Sequence, residues 1–167
     1  MTARPAARLL AVAGVVTALV VSGCGDREPQ PASDQASAIS VSDAWVKAAD
    51  EGMTAAFAVL TNDSQTDATL VAATTDASST VEIHQTTMVD GAMAMAPADG
   101  GIVVPAGGSV TLEPGGYHIM LMDLTTAIEP GDQVPLTVEF SDGSTVDVTA
   151  IGKQFSGGNE EYTPSGE

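Results

Sequence analysis

From residue 39 to residue 153 the chain is cut into short apolar runs by turn-forming residues, and this punctuation restricts the fold more than any other feature. The breaks are Asn62-Asp63-Ser64, Gly100-Gly101, Pro105-Ala106-Gly107-Gly108, Pro114-Gly115-Gly116 and Asp142-Gly143. Those at 100–101, 105–108 and 114–116 follow one another at roughly the short spacing of all-β sandwiches. Between them lie segments of strand character: the alternating Ile39-Ser40-Val41-Ser42 and Val81-Glu82-Ile83-His84, the buried-type run 54–61 (TAAFAVLT), and the Thr/Val-rich run 68–75. Residues 134–140 and 145–151 flank Asp142-Gly143 as a hairpin would. Beyond the apolar N-terminus no window sustains a 3.6-residue period, which excludes helix bundles and βαβ folds. The expected domain, 39–153, is an all-β Greek-key sandwich or barrel of seven to nine strands. Hydrophobic residues make up 44% of the chain but aromatics only 4%, so aliphatic and alanine side chains must fill the core.

The charge balance narrows the possible partners. Of 167 residues, 5 are Lys or Arg and 22 are Asp or Glu, for a net charge of −17. Nucleic acid is excluded as a partner, because it needs clustered cations to displace counterions from phosphates. The single cysteine rules out an internal disulfide, a CxxC pair and a zinc–thiolate cluster.

That cysteine has a context of its own. Arg4 and Arg8 precede the uninterrupted apolar run 9–21, which is too short to span a bilayer comfortably. Val21-Ser22-Gly23-Cys24 follows at once and resembles the lipobox of bacterial lipoproteins. The expected organisation is a lipoprotein signal peptide over 1–23, then Cys24 as the lipidation site with a flexible tether over 24–38, and a disordered acidic tail over 154–167. The mature protein would sit on the outer face of the bacterial cell membrane, held in the lipid bilayer through acyl chains on Cys24. Stable anchoring by such chains needs no basic residues, since each buried methylene contributes about 0.8 kcal/mol.

The scarce nitrogen and sulfur donors are not scattered. Five of the seven methionines, Met88, Met93, Met95, Met120 and Met122, lie between positions 88 and 122, and both histidines, His84 and His118, border the same groups. Side chains at i and i+2 of a strand share a face, so His118, Met120 and Met122 are expected together on one face, with Ile119 and Leu121 on the other. Met93 and Met95 pair in the same way, as do Glu82 and His84. Thioether sulfur is soft and selects Cu(I) over hard cations, and imidazole also accepts copper. A methionine alone is ordinary core filler; imidazoles and thioethers alternating on shared faces point instead to a metal site on strand ends and loops.

The stretch from His84 to Asp123 resembles the PCuAC family of extracytoplasmic copper chaperones. The resemblance rests on His84 and Met95 with ten residues between them, on the run 100–124 (GGIVVPAGGSVTLEPGGYHIMLMDL), and on Ala44-Trp45-Val46 and 53–57 (MTAAF) upstream. It implies a cupredoxin-like fold and a Cu(I) site made by His84, Met95, His118 and Met120. The interval from Met95 to His118 is one residue longer than is usual in that family, which leaves Met93 as a substitute for Met95; Gln85 stands where members often carry a methionine, which makes Met88 an auxiliary candidate, as Met122 is by sharing the face of His118. The implied function is a Cu(I) carrier, not an enzyme, with a copper-receiving partner such as cytochrome c oxidase subunit II, at its dinuclear copper centre, or an assembly factor. A structural or binding lipoprotein with a methionine-rich core is the alternative. An electron-transfer cupredoxin would need a cysteine thiolate at the copper, and Cys24 is committed to the lipobox.

The lipobox reading has a direct test. Cys24→Ser should block acylation and move the protein from the membrane fraction to the soluble fraction. Retention of a processed Cys24→Ser protein on the membrane would contradict it.

Overall fold

A computed structural model describes residues 34–89, 91–157 and 161–162. The signal segment, Cys24 and most of the tether lie outside the described residues. The domain is all-β, apart from a 3-10 turn at Ala36–Ala38. Its strands are β1 (Ile39–Lys47), β2 (Thr54–Asn62), β3 (Ala68–Thr74), β4 (Val81–Val89), β5 (Ala92–Pro97), β6 (Ile102–Val104), β7 (Ser109–Leu112), β8 (Tyr117–Leu121), β9 (Gln133–Phe140), β10 (Thr145–Lys153) and β11 (Glu161–Tyr162). They pair in the order β11-β5-β4-β8-β7-β2-β1-β10-β9-β3-β6, with β2 also pairing β8. Among the described residues this gives eleven strand segments where seven to nine were expected. The excess is in short pieces, the three-residue β6 and the two-residue β11, which carry too few side chains for alternation to show. β11 falls in the segment expected to be disordered, where Glu161 and Tyr162 pair in parallel with Ala94 and Met95. No helix among the described residues is long and apolar enough to cross a membrane.

The 54–61 run, the 68–75 run and the 134–151 hairpin became β2, β3 and β9–β10 within a residue or two. The Asp-Gly step works as its chemistry demands. The Gly143 N–H donates to the Phe140 carbonyl at 2.8 Å, and Gly143 takes φ +82°, which glycine adopts without a Cβ penalty. The Asp142 carboxylate is held below the usual range by hydrogen bonds, first from Ser144 and then from the Gln35 N–H. The Gln35 contact, at 2.7 Å, ties the start of the domain to this hairpin.

One contiguous core includes Val46, Ala56, Ala58, Leu60, Leu70, Ile83, Ile119, Leu121, Leu136, Val138 and Phe140. Two irregularities decide which side chains stay out of it. In β1 the register against β2 shifts between Ser42 and Trp45, and Asp43 sits at φ +52°. Such a bulge reverses strand parity. Ile39 and Val41 face the core before it and Ala44 and Val46 after it, so Trp45 is turned to the opposite face.

The second irregularity lies at Pro114-Gly115-Gly116. β7 pairs with the far half of β2 (Ala58↔Leu112), and β8 continues along the same edge with the near half (Ala56↔Ile119). The Pro-Gly-Gly run is an excursion within one strand line, closed by Gly116 N–H to the Glu113 carbonyl at 3.0 Å and Glu113 N–H to the Tyr117 carbonyl at 2.8 Å. Beyond the excursion β8 lies between β2 and β4.

β8 is buried on both faces, and only its core face carries packing energy of the ordinary kind. Leu121 is 0% exposed in the core. Leu121→Ala should therefore cost about 2–5 kcal/mol in urea unfolding, by lost burial plus the cavity left behind. A loss under about 1 kcal/mol would show that this face is not part of the core.

Candidate metal centre

The second face of β8 meets donors from two neighbouring strands. β4 runs antiparallel to β8 with His84 opposite His118 and Glu82 opposite Met120. β5 runs antiparallel to β4 with Met95 opposite Thr86, two residues from His84 on its face. On the other flank Ala55 of β2 lies opposite Met120. The two-residue period thus places His84, His118, Met120 and Met95 on one side of the sheet, with Ile83, Ile119 and Leu121 on the other.

All four donors are buried: His84 is 0% exposed, Met120 3%, His118 4% and Met95 5%. None of them belongs to the contiguous apolar core. Met95, His118 and Met120 line a cavity of about 240 Å³ together with Lys47, Met53, Phe57, Thr86 and the Pro114-Gly115 excursion. His84 does not line the cavity. Its ring packs against His118 edge-on, with centroids 5.7 Å apart. The expectation of a surface site on strand ends and loops is thereby corrected. The donors sit within strands, below the surface, because β8 is flanked by β2 and β4.

The remaining methionines separate by position. Met93 and Met88 face each other across the β4–β5 hairpin on the same side as Met95, but one step outward. They are 42% and 69% exposed and do not line the cavity. Met95, one pair further in, does line it. Met122 was expected on the face of His118 and Met120. β8 ends at Leu121, although the Met122 N–H still reaches the Thr80 carbonyl at 2.8 Å, the next step of the β4–β8 register. Met122 is half-buried and does not line the cavity.

Sequence reasoning placed Glu82 on the face of His84 but gave it no role. Its Oε2 lies 2.7 Å from His84 Nε2. His118 has a different partner, with Nδ1 3.1 Å from the Gly116 carbonyl oxygen. That carbonyl also accepts the Thr86 N–H at 3.0 Å. An aromatic file backs His118: Phe57 lies 6.3 Å away, Trp45 stacks on Phe57 at 4.4 Å, and Phe155 meets Trp45 edge-on at 5.4 Å. Lys153 Nζ stands 5.6 Å from the Trp45 ring, and Lys47 Nζ donates to the Gly157 carbonyl at 2.7 Å. The bulge at Asp43 is what delivers Trp45 to this file.

Two imidazoles and two thioethers on one face would suit a soft cation if they ligate together. Among the described residues no group of three or more His, Cys, Asp or Glu comes together to hold a metal.

Comparison with known proteins agrees with the fold. The family described as "Putative lipoprotein LpqE-like" matches residues 39–151, from the start of β1 into β10. "Putative lipoprotein Lxx21020" of Leifsonia xyli subsp. xyli (strain CTCB07) is 43% identical over 159 residues, covering 93% of this chain and 96% of that one. The solution structure of "CuI-DR1885" from Deinococcus radiodurans is 31% identical, with a TM-score of 0.52 over 71% of this chain and 82% of that chain. The copper-bound PCuAC domain from PmoF2 superposes with a TM-score of 0.59 over 71% of this chain and 94% of that domain, at 20% identity, a likeness of fold. The cupredoxin-like β fold expected from the sequence is thus the fold observed, and the chain belongs to the LpqE-like lipoprotein family, with a β domain of the PCuAC type.

Proposed function

We propose that the protein is an extracytoplasmic Cu(I) carrier that holds copper through His84, Met95, His118 and Met120 and passes it to a copper enzyme. The observation that carries this reading is the register His84↔His118 with Glu82↔Met120 and Thr86↔Met95, which draws both histidines and two methionines to one face beside a cavity. Similarity to DR1885, whose structure was solved with Cu(I), supports the choice of cargo. The lipoprotein family supports a lipid-anchored site of action.

The chemistry suits carriage rather than catalysis. Thioethers do not titrate, so protons compete for the imidazoles alone. Neutral soft donors leave the +1 charge of Cu(I) uncompensated by thiolate, which favours release to a stronger thiolate or histidine site on a partner. The cavity mouth, between Met53, Lys47 and the Pro114-Gly115 excursion, is where a partner's ligands would enter. The recipient of this reading is the dinuclear copper centre in subunit II of cytochrome c oxidase, or an assembly factor that serves it. A methionine-rich packing core is the weaker reading, because Met95 and Met120 are buried outside the contiguous core and against the cavity.

Leucine separates ligand from filler, because it nearly conserves methionine's volume and cannot donate sulfur. Met120→Leu should change apo stability by less than about 1.5 kcal/mol. In an anaerobic titration against a competing chelator it should weaken Cu(I) binding at least tenfold, about 1.4 kcal/mol. Met122→Leu should weaken it clearly less. Wild-type affinity in Met120→Leu would contradict the ligand assignment.

A further inference from the structure

The two imidazoles of the site are oriented by different partners, at different ring nitrogens. His84 Nε2 faces the Glu82 carboxylate at 2.7 Å. An ionised carboxylate only accepts hydrogen bonds, so in neutral His84 the proton resides on Nε2 and the lone pair on Nδ1. His118 Nδ1 faces the Gly116 carbonyl oxygen at 3.1 Å. A carbonyl also only accepts, so in neutral His118 the proton resides on Nδ1 and the lone pair on Nε2. Each orienting group stands two residues before its histidine. Glu82 shares the face of His84 through strand alternation. The Gly116 carbonyl is aimed by the Pro-Gly-Gly excursion, where Gly115 takes φ +79°.

We infer that His84 and His118 are held as opposite tautomers, that copper takes His84 at Nδ1 and His118 at Nε2, and that Glu82 is the positioning residue that makes the His84 half of this arrangement. The assignment of copper rests on the function proposed above; the tautomers are properties of the metal-free protein. A fully buried ring can still rotate about its terminal bond or exchange tautomers, and either would change which atom stands where the Nδ1 lone pair does. The short, charge-assisted bond from Glu82 opposes both. Glu82 lies opposite Met120 in the register, so the same carboxylate supplies a negative charge near the incoming cation without becoming a soft ligand itself.

The experiment is two-bond proton–nitrogen correlation NMR on nitrogen-15-labelled protein, first metal-free and then with one equivalent of Cu(I), which is diamagnetic. The metal-free wild type should show His84 protonated at Nε2 and His118 at Nδ1. Cu(I) should then shift Nδ1 of His84 and Nε2 of His118. Glu82→Ala should leave His84 as a mixture of tautomers and weaken Cu(I) binding by at least about tenfold, the usual scale for removing a partner behind a metal ligand. Glu82→Gln keeps the volume, but its amide can accept from Nε2–H or, flipped, donate to Nε2, so it should also leave a mixture of tautomers and weaken Cu(I) binding. It also serves as the working variant if the alanine protein does not fold. The same tautomer at both histidines, or a copper-induced shift at His84 Nε2, would overturn the assignment. Failure of the wild type to bind Cu(I) would overturn the copper reading, while the metal-free tautomers would still decide the role of Glu82.

Discussion

The register between β4 and β8 is the constraint on which the site depends. Because strand side chains alternate with a period of two, one choice of register puts His84 opposite His118 and Ile83 opposite Ile119. A slip by one residue would carry every side chain of β4 to the other face. Glu82 and His84 would then both enter the apolar core and Ile83 would leave it. Burying a carboxylate and an imidazole there is costly, and so is losing the packing of Ile83. The core and the site therefore enforce each other: the hydrophobic term that packs Ile83, Ile119 and Leu121 is also the term that aligns the two histidines.

Two local departures from regular strand geometry turn that alignment into a cavity. The excursion at Pro114-Gly115-Gly116 moves the chain off one half of β2 and back onto the other, which frees β8 to take β4 as a neighbour and supplies both the cavity lip and the carbonyl that holds His118. The bulge at Asp43 turns Trp45 out of the core and onto Phe57, which stands behind His118. Each feature costs regular ladder hydrogen bonds. Both sit beside the donors, where irregular backbone of this kind is most often found.

Much of this was legible in the sequence, for local reasons. Strand runs such as 54–61 and the hairpin around Asp142-Gly143 are dictated by neighbouring residues. So is the sharing of one face by His118 and Met120, and of the other by Ile119 and Leu121. What depends on partners far along the chain was not legible. Met93 and Met95 have the same local pattern, and only the depth of β5 against β4 puts Met95 at the cavity and leaves Met93 exposed. Met122 continues the alternation of β8, and its N–H still bonds Thr80 in the β4–β8 register, but it lies past the end of the strand and does not line the cavity. The Pro-Gly-Gly run reads as a strand boundary in sequence and is an interruption of a single strand line in space. The burial of the donors follows from β8 being central, which the order of elements alone does not reveal. Glu82 was visible as a neighbour of His84, but a contact at 2.7 Å is a fact of the folded structure.

The proposed carrier function requires one coordination sphere, two imidazole nitrogens and two thioether sulfurs around a single copper ion. X-ray absorption at the copper edge of the Cu(I)-loaded protein reads that sphere directly. The predicted spectrum contains both a nitrogen shell with imidazole scattering and a sulfur shell, with the sulfur shell diminished in Met95→Leu and in Met120→Leu. A sphere of nitrogen and oxygen without sulfur, or a sulfur shell unchanged by both substitutions, would contradict it.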